Sequence, residues 1–163
     1  MGSYLFPLLV LAIFTGVFAV EATRTSVTLP DQKVIQATGD GQQFVRYCAA
    51  VTSYLQSNPA FIGSVSSAAL AAQGSQFPTQ FLTSSGNAIT QIGAGTGRVI
   101  TCYGNLAPGA VTTALATTDN DASYGIASGG TWTSYAQGAV MAPQALATAV
   151  PNGYVVSVVQ IGN

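Results

Sequence analysis

The residues that could carry out chemistry are few, and no histidine is among them. Without histidine, the chain lacks the general base of Ser–His and Cys–His nucleophilic systems and a common zinc ligand. The five acids are Glu21, Asp31, Asp40, Asp119 and Asp121. The close pair Asp119 and Asp121 would suit calcium binding or acid–base work, but no EF-hand-type loop follows it, so TTDNDAS favours a surface turn. The sequence therefore predicts no catalytic residue, no metal site and no cofactor.

Two further motifs have a structural interpretation beside the functional one. The glycine loop Gly93–Gly97 lies between two strand-like runs and lacks the lysine and the following helix of a phosphate cradle, which favours a turn. Trp132 stands in a Gly- and Thr-rich hairpin, where it could contact a sugar or a partner protein, although packing on the helix is favoured. Tyr47 and Tyr54 share a helix face and are interpreted as core residues. Arg46 and Trp132 are the candidate partner-surface residues.

The two cysteines, Cys48 and Cys102, are too far apart in sequence for a CxxC motif or a metal box. A disulfide between them would close a loop of about 55 residues and stabilise the fold by about 3–4 kcal/mol in the chain-entropy model. The alternative is two separate buried thiols, each behaving as a small hydrophobe. We favour the disulfide, which requires an oxidising compartment such as the periplasm.

The charge content of the chain is low. Charged residues make up 6% of the sequence and the formal net charge is −1, against about 25% charged residues in a typical soluble domain. No basic patch is present, so nucleic-acid binding is excluded as a function class. A surface of small polar residues repels copies of itself only weakly, which leaves a homo-oligomer open.

The N-terminal segment is the strongest localisation signal. Ser3 to Val20 carries no charge, and Glu21 ends the run; about eighteen apolar residues is the lower end of what spans a bilayer as a helix. We predict a membrane anchor at 1–21, a polar stalk at 22–37 and a soluble domain at 38–163. A cleaved secretory signal is the alternative, but residues 1–4 contain no Lys or Arg. The expected location is the inner membrane, single-pass, with the domain in the periplasm.

Hydrophobic periodicity predicts helices first. Thr38-Gly39-Asp40 offers an N-cap for an amphipathic helix that Asn58-Pro59 ends, and the alternative is a helix that begins within Val34, Ile35 and Ala37. A second, shorter helical stretch runs from Ser64 to Ala72, with Gly74 as its stop. Pro78 and Phe81 are expected to lead into a loop.

From Asn87 onward the period changes to that of strands. Ala88–Ile92 and Arg98–Tyr103 predict one hairpin, and Tyr124–Ala127 with Thr131–Tyr135 predict another. A short helix is expected within Ala107–Ala116, a short loop with Pro143 follows the second hairpin, and Tyr154–Ile161 is the clearest strand. Helices first and three to five antiparallel strands later indicate an α+β fold, with a long and a short helix packed on a small antiparallel sheet.

The chain resembles the PilM proteins of the thin type IV pilus encoded by conjugative plasmids. The matching features are the apolar N-terminal segment, Phe44-Val45-Arg46-Tyr47 with Ala50-Val51 and Tyr54, Asn58-Pro59, Gly63-Ser64-Val65 with Ala68 and Leu70, and Val150-Pro151-Asn152-Gly153-Tyr154-Val155-Val156. The resemblance covers most of the chain, but the cysteine pair lies outside it. It implies a non-enzymatic, membrane-associated component of pilus biogenesis, in the pilin-transport apparatus or the basal body, with pilus-assembly proteins as partners.

Two other function classes stay open. A pilin-like structural subunit also has an apolar N-terminal helix, a soluble helix and a sheet. A prepilin, however, needs an aromatic residue after its cleavage glycine and a Glu at the fifth position after it, and Gly2 is followed by Ser3, with Pro7 in the fifth place. A secreted carbohydrate-binding domain rests only on Trp132, the tyrosines and the Asp119/Asp121 pair.

Overall fold

The computed structural model describes residues 31–95, 97–138 and 141–162. The chain divides into two units, Met1–Asp31 and Gln32–Asn163, and every described helix and strand belongs to the second. The predicted anchor lies outside the described residues. Within those residues, no helix has both the length and the apolar character needed to cross a membrane. The elements are α1 (Gln32–Ser57), α2 (Ser67–Ala72), α3 (Thr79–Ser84), β1 (Ser85–Gln91), β2 (Arg98–Gly104), α4 (Ala110–Thr117), β3 (Tyr124–Ser128), β4 (Thr131–Ser134), β5 (Gln144–Ala145) and β6 (Val155–Ile161).

Helix α1 begins earlier than the sequence predicted. Its first residue is Gln32, and Thr38, which was expected in the N-cap, lies inside the helix and donates its hydroxyl to the Val34 carbonyl at 2.8 Å. The predicted cap was wrong because residues 32–37 (QKVIQA) contain no helix breaker. They extend the helix toward its N-terminus, ahead of most of its buried face. The predicted end is confirmed, since the Asn58 side-chain amide donates to the Tyr54 carbonyl at 3.0 Å just after Ser57.

One face of α1 is buried along nearly its whole length. Apolar and small residues recur every three or four positions, as expected for a helix with one face in the core. The buried residues are Ala37, Gly41, Phe44, Tyr47, Cys48, Ala50, Val51 and Leu55. This buried face docks α1 onto the sheet and onto α4.

The short helices differ in how well the sequence predicted them. Helix α2 is confirmed, and the Ser66 hydroxyl caps it by accepting the Ala69 N–H at 3.2 Å. Helix α3 falls where a loop was predicted, so that prediction was wrong. Pro78 stands at its N-cap and Phe81 is its buried residue, but a helix this short has too few turns to reveal a period.

All the described strands form one antiparallel sheet in the order β1-β2-β6-β3-β4-β5. Both predicted hairpins, β1–β2 and β3–β4, are confirmed, and β6 lies between them as the strand that joins them. The described sheet has six strands, more than expected, because the two-residue β5 pairs with β4 in a stretch predicted to be a loop. Such a short strand has no alternation to detect.

The sheet carries a core on each face. Successive side chains of a strand point to opposite faces, so Val155 joins the cluster beneath α1 while Val156 joins a second cluster with Ala127, Trp132 and Val150. The predicted α+β fold, with helices packed on an antiparallel sheet, is confirmed. The second core on the opposite face of the sheet was not predicted.

Helices α1 and α4 approach each other closely at Gly41. A Cβ atom at Gly41 would lie 2.6 Å from the Ala110 carbonyl oxygen and 2.7 Å from the Thr113 Cβ, so both the backbone and a side chain of α4 occupy that space. Gly39, also within α1, has no atom within 4 Å of the corresponding position. The two glycines are therefore a matched pair for measuring this helix contact.

We expect Gly39→Ala to raise the free energy of unfolding by about 0.5–1 kcal/mol, because alanine has the higher helix propensity and nothing obstructs its methyl group. Gly41→Ala should lower it by about 1–3 kcal/mol, because the same methyl group forces α1 and α4 apart. Urea unfolding of the two variants measures both values. An equal gain from both substitutions would contradict the close helix contact.

Candidate partner-binding surface

The cysteines lie together in the core beneath α1. Cys48 on α1 is 5% exposed and Cys102 on β2 is 1% exposed. Burial, followed by interaction with the neighbouring Cys102 thiol, raises the pKa of Cys48 well above its usual value. Both are free thiols in this structure. The fold thus brings the predicted partners into contact, and the bond between them stays a prediction.

Asn87 is the polar centre of the same core. Its side-chain oxygen accepts the Val65 N–H at 2.7 Å, and its amide nitrogen donates to the Val65 carbonyl at 3.0 Å and to the Tyr47 hydroxyl at 2.7 Å. Burial raises the pKa of Tyr47 to about 12, with the Asn87 hydrogen bond acting in the opposite direction. The core interpretation of Tyr47 is confirmed. This network joins α1, β1 and the loop before α2, and its groups are engaged in holding the fold.

Trp132 is not an exposed contact residue. It is 4% exposed and packs with Ala127, Val150 and Val156 on the face of the sheet opposite α1. The expectation that it packs on the helix was therefore wrong, although it is a core residue. The reason is strand parity, because moving a side chain by one position along a strand transfers it to the other face. Little of the indole is left to offer a sugar or a partner.

Arg46, by contrast, is exposed on α1. It belongs to a row of exposed residues on the side of the helix away from the sheet. This row, named here the α1 stripe, consists of Gln42, Arg46, Ala49, Ser53 and Gln56. Because Trp132 lies beyond the opposite face of the sheet, the two predicted partner-surface residues do not belong to one surface.

A groove adjoins the C-terminal end of the α1 stripe. Its volume is about 420 Å³. Its lining combines the end of α1 and the turn after it with the start of β2 and the end of β6: Leu55, Gln56, Pro59, Ala60, Arg98, Ile161 and Gly162. We name it the terminal groove. Gln56 belongs to both features, so the stripe and the groove are continuous. Sequence reasoning missed the groove because its walls come from segments far apart in the chain.

The acidic pair lies in a turn, as predicted, and so do Gly93 and Ala94 of the glycine loop. Asp121 accepts the Ser123 N–H at 2.9 Å, and Asn120 exchanges two hydrogen bonds with the backbone of Gln137, at 2.9 and 3.0 Å. Asp119 and Asn120 have positive φ angles of 58° and 66°, which Asp and Asn tolerate better than most residues. Within the described part of the chain, no three Cys, Asp or Glu side chains are grouped so that they could hold a metal ion.

The fold and the surface together define a class of protein. It is an α+β domain with a long helix whose outer row of residues is mostly polar, has Arg46 as its one charged residue, and is continuous with a groove. Few charges would have to be desolvated if another protein or peptide docked on this surface.

Comparison with known proteins identifies the family. The PilM family model matches residues 10–158, so the chain belongs to the PilM family. The fold is similar to that of a PilM protein from Escherichia coli B7A solved by crystallography, with a TM-score of 0.55, 18% sequence identity, and coverage of 82% of this chain and 98% of that chain. At this level of identity the likeness shows the fold. No curated protein matches the chain.

Membership of this family confirms the resemblance found in the sequence and indicates a role in pilus biogenesis. The family match begins inside the apolar N-terminal segment and extends almost to the end of β6. It therefore covers the α1 stripe and both cores.

We expect Trp132→Ala to lower the free energy of unfolding by about 3–5 kcal/mol, because it empties the centre of the second core. Tyr135→Ala is the control, since Tyr135 is the residue after β4 and is 56% exposed; it should change stability by less than about 0.5 kcal/mol. Urea or thermal unfolding separates the two. A Trp132→Ala variant as stable as the wild type would show that the indole is available for a partner.

Proposed function

We propose that this protein is a non-enzymatic, membrane-anchored component of type IV pilus biogenesis that holds assembly partners at the inner membrane. The single observation that carries the proposal is the PilM family match, which includes both the end of the apolar segment and the folded domain. In this arrangement residues 1–21 anchor the chain and the α+β domain lies in the periplasm. The domain acts by binding, as part of the pilin-transport apparatus or of the basal body.

The proposed contact surface is the α1 stripe together with the terminal groove. The groove offers apolar surface from Pro59, Ala60 and Ile161, and the stripe offers amide and hydroxyl groups with Arg46 as its charged residue. Protein–protein interfaces usually combine apolar and polar area, and arginine is over-represented in them. A partner that places an apolar side chain in the groove and an acidic group near Arg46 fits both features.

A pilin-like structural subunit is the second candidate. The observation that favours it is the long helix α1 packed along an antiparallel sheet, preceded in the sequence by an apolar segment. Pro7 and the absence of an acid within the apolar run argue against it, because a charge there would pair neighbouring subunits in an apolar filament core. The two candidates predict different locations for the protein, one at the cell envelope and the other along the filament.

We expect Arg46→Glu to reduce the number of pili per cell several-fold, because it places a negative charge where the partner contributes one. Arg46→Lys is the matched control, since it keeps the charge at the same exposed position, and pilus number should stay near that of the wild type. Neither variant should shift the thermal unfolding midpoint by more than about 2 °C, because Arg46 is exposed.

Deletion of the gene and analysis of sheared pili decide between the two candidate functions. If a clean deletion leaves pilus number and conjugation in liquid unchanged, the assembly role is wrong. If the protein is recovered in stoichiometric amounts along sheared pili, the pilin-like candidate replaces it.

The proposed anchor is tested by fractionation and N-terminal sequencing. The mature protein should retain residues 1–20 and stay with the inner membrane after salt and carbonate washing, because an apolar segment of this length holds a chain in the bilayer without charge interactions. A mature N-terminus at Glu21 or Ala22 would favour the cleaved signal and a soluble periplasmic domain instead.

A further inference from the structure

We propose that Cys48 and Cys102 form a structural disulfide that ties α1 to β2, and that this bond forms before α1 docks on the sheet. The chain contains two cysteines, so each has one possible intramolecular partner. They come from elements distant in sequence and meet within one buried cluster.

The position of Cys102 makes the contact with α1 specific. Strand β2 is an inner strand, and Cys102 pairs with Asn87 of β1 on one side and Ser157 of β6 on the other. These three buried residues, with exposures of 1%, 3% and 2%, form a row across the sheet. Cys48, on the buried face of α1, interacts with two of them, Cys102 and Ser157. The sulfur of Cys102 therefore faces the helix that carries its partner.

The finished fold protects this pair from reaction. Both thiols are buried, and Tyr47 and Tyr124 are close enough for the two cysteines to influence their pKa values. The thiolate is the form that attacks a disulfide, and burial, by raising the pKa of Cys48, disfavours the thiolate there. An oxidant would also have to reach one sulfur to form a mixed disulfide, and both residues are almost fully buried in a close-packed cluster.

The reaction needs an oxidant that is itself a disulfide, such as oxidised glutathione or a protein disulfide. One protein thiolate attacks that disulfide, forms a mixed disulfide and releases one thiol of the oxidant. The second protein thiolate then attacks the protein sulfur of the mixed disulfide and releases the other thiol. In total the two cysteines lose two protons and two electrons, and the oxidant disulfide becomes two thiols. Both steps require α1 to be away from the sheet, since only then can the oxidant reach a sulfur.

The bond would close the chain around α2, α3 and the β1–β2 hairpin. A loop of about 55 residues is long enough for its closure to restrict the unfolded chain substantially. Docking of α1 would then seal the disulfide in the core, so the pair acts as a permanent link between helix and sheet and not as a reversible switch.

The test uses the full-length protein in detergent micelles. One sample is refolded from denaturant with a mixture of oxidised and reduced glutathione, and a second is folded in reductant before it meets the same mixture. Thiols are counted by alkylation after denaturation. We expect the first sample to have none and to be lighter by two hydrogens as a monomer, and the second to oxidise at least about 100-fold more slowly, because its thiols are buried.

Stability gives an independent measurement. The thermal midpoint of the oxidised wild type should fall by on the order of 10 °C after reduction, whereas that of the Cys48→Ala/Cys102→Ala variant should not respond to reductant. If this variant does not fold, the wild-type comparison alone decides. Two alkylated thiols after refolding with oxidant would show that the disulfide does not form. Equally fast oxidation of the folded sample would show that the bond does not have to form before α1 docks. Neither result depends on pilus assembly, so the test is separate from that of the proposed function.

Discussion

The docking of α1 on one face of the sheet is the interaction on which the rest of this structure depends. The buried face of α1 brings Phe44, Val51 and Leu55 onto the sheet, with exposures of 0%, 0% and 3%. The contact between α1 and α4 at Gly41 leaves no room for a Cβ atom unless the helices shift. The same docking places Tyr47 against Asn87 and Cys48 against Cys102. Loss of this one interface would expose the main core, the polar network and the cysteine pair together.

The same interface also determines which residues remain for binding. Because one side of α1 is committed to the core, its outer side is left as a continuous exposed row containing Arg46. The end of the helix, held beside β2 and β6, creates the terminal groove. The opposite face of the sheet is occupied by the second core, so Trp132 contributes to stability there. The exposed row and the terminal groove are continuous through Gln56, whereas Trp132 belongs to the core on the opposite face of the sheet.

The low charge of the chain has consequences for both stability and binding. Charged residues are 6% of the sequence, so neutral hydrogen bonds such as those of Asn87 have a large part in specifying the described fold. A buried neutral network of this kind strongly specifies one arrangement when all its groups are paired. On the surface, the scarcity of charge makes Arg46 a conspicuous feature, and it lowers the desolvation cost of docking.

The sequence by itself determined the features that depend on neighbours along the chain. The period of three and four residues predicted α1, alternation predicted both hairpins and β6, and Asn58-Pro59 marked the end of the long helix, because these signals act within one or two turns or strands. The family was also recognisable from the sequence, since its motifs extend along most of the chain.

The tertiary structure alone decided what depends on segments far apart in sequence. Local pattern could not detect α3 or β5, which are too short to show a period, and it could not assign Trp132 to the face of the sheet opposite α1. It could not show that Cys48 and Cys102 meet, nor that Pro59, Arg98 and Ile161 line one groove. Each of these facts depends on strand order, on the parity of side chains across the sheet and on the docking of α1, which only the assembled fold defines.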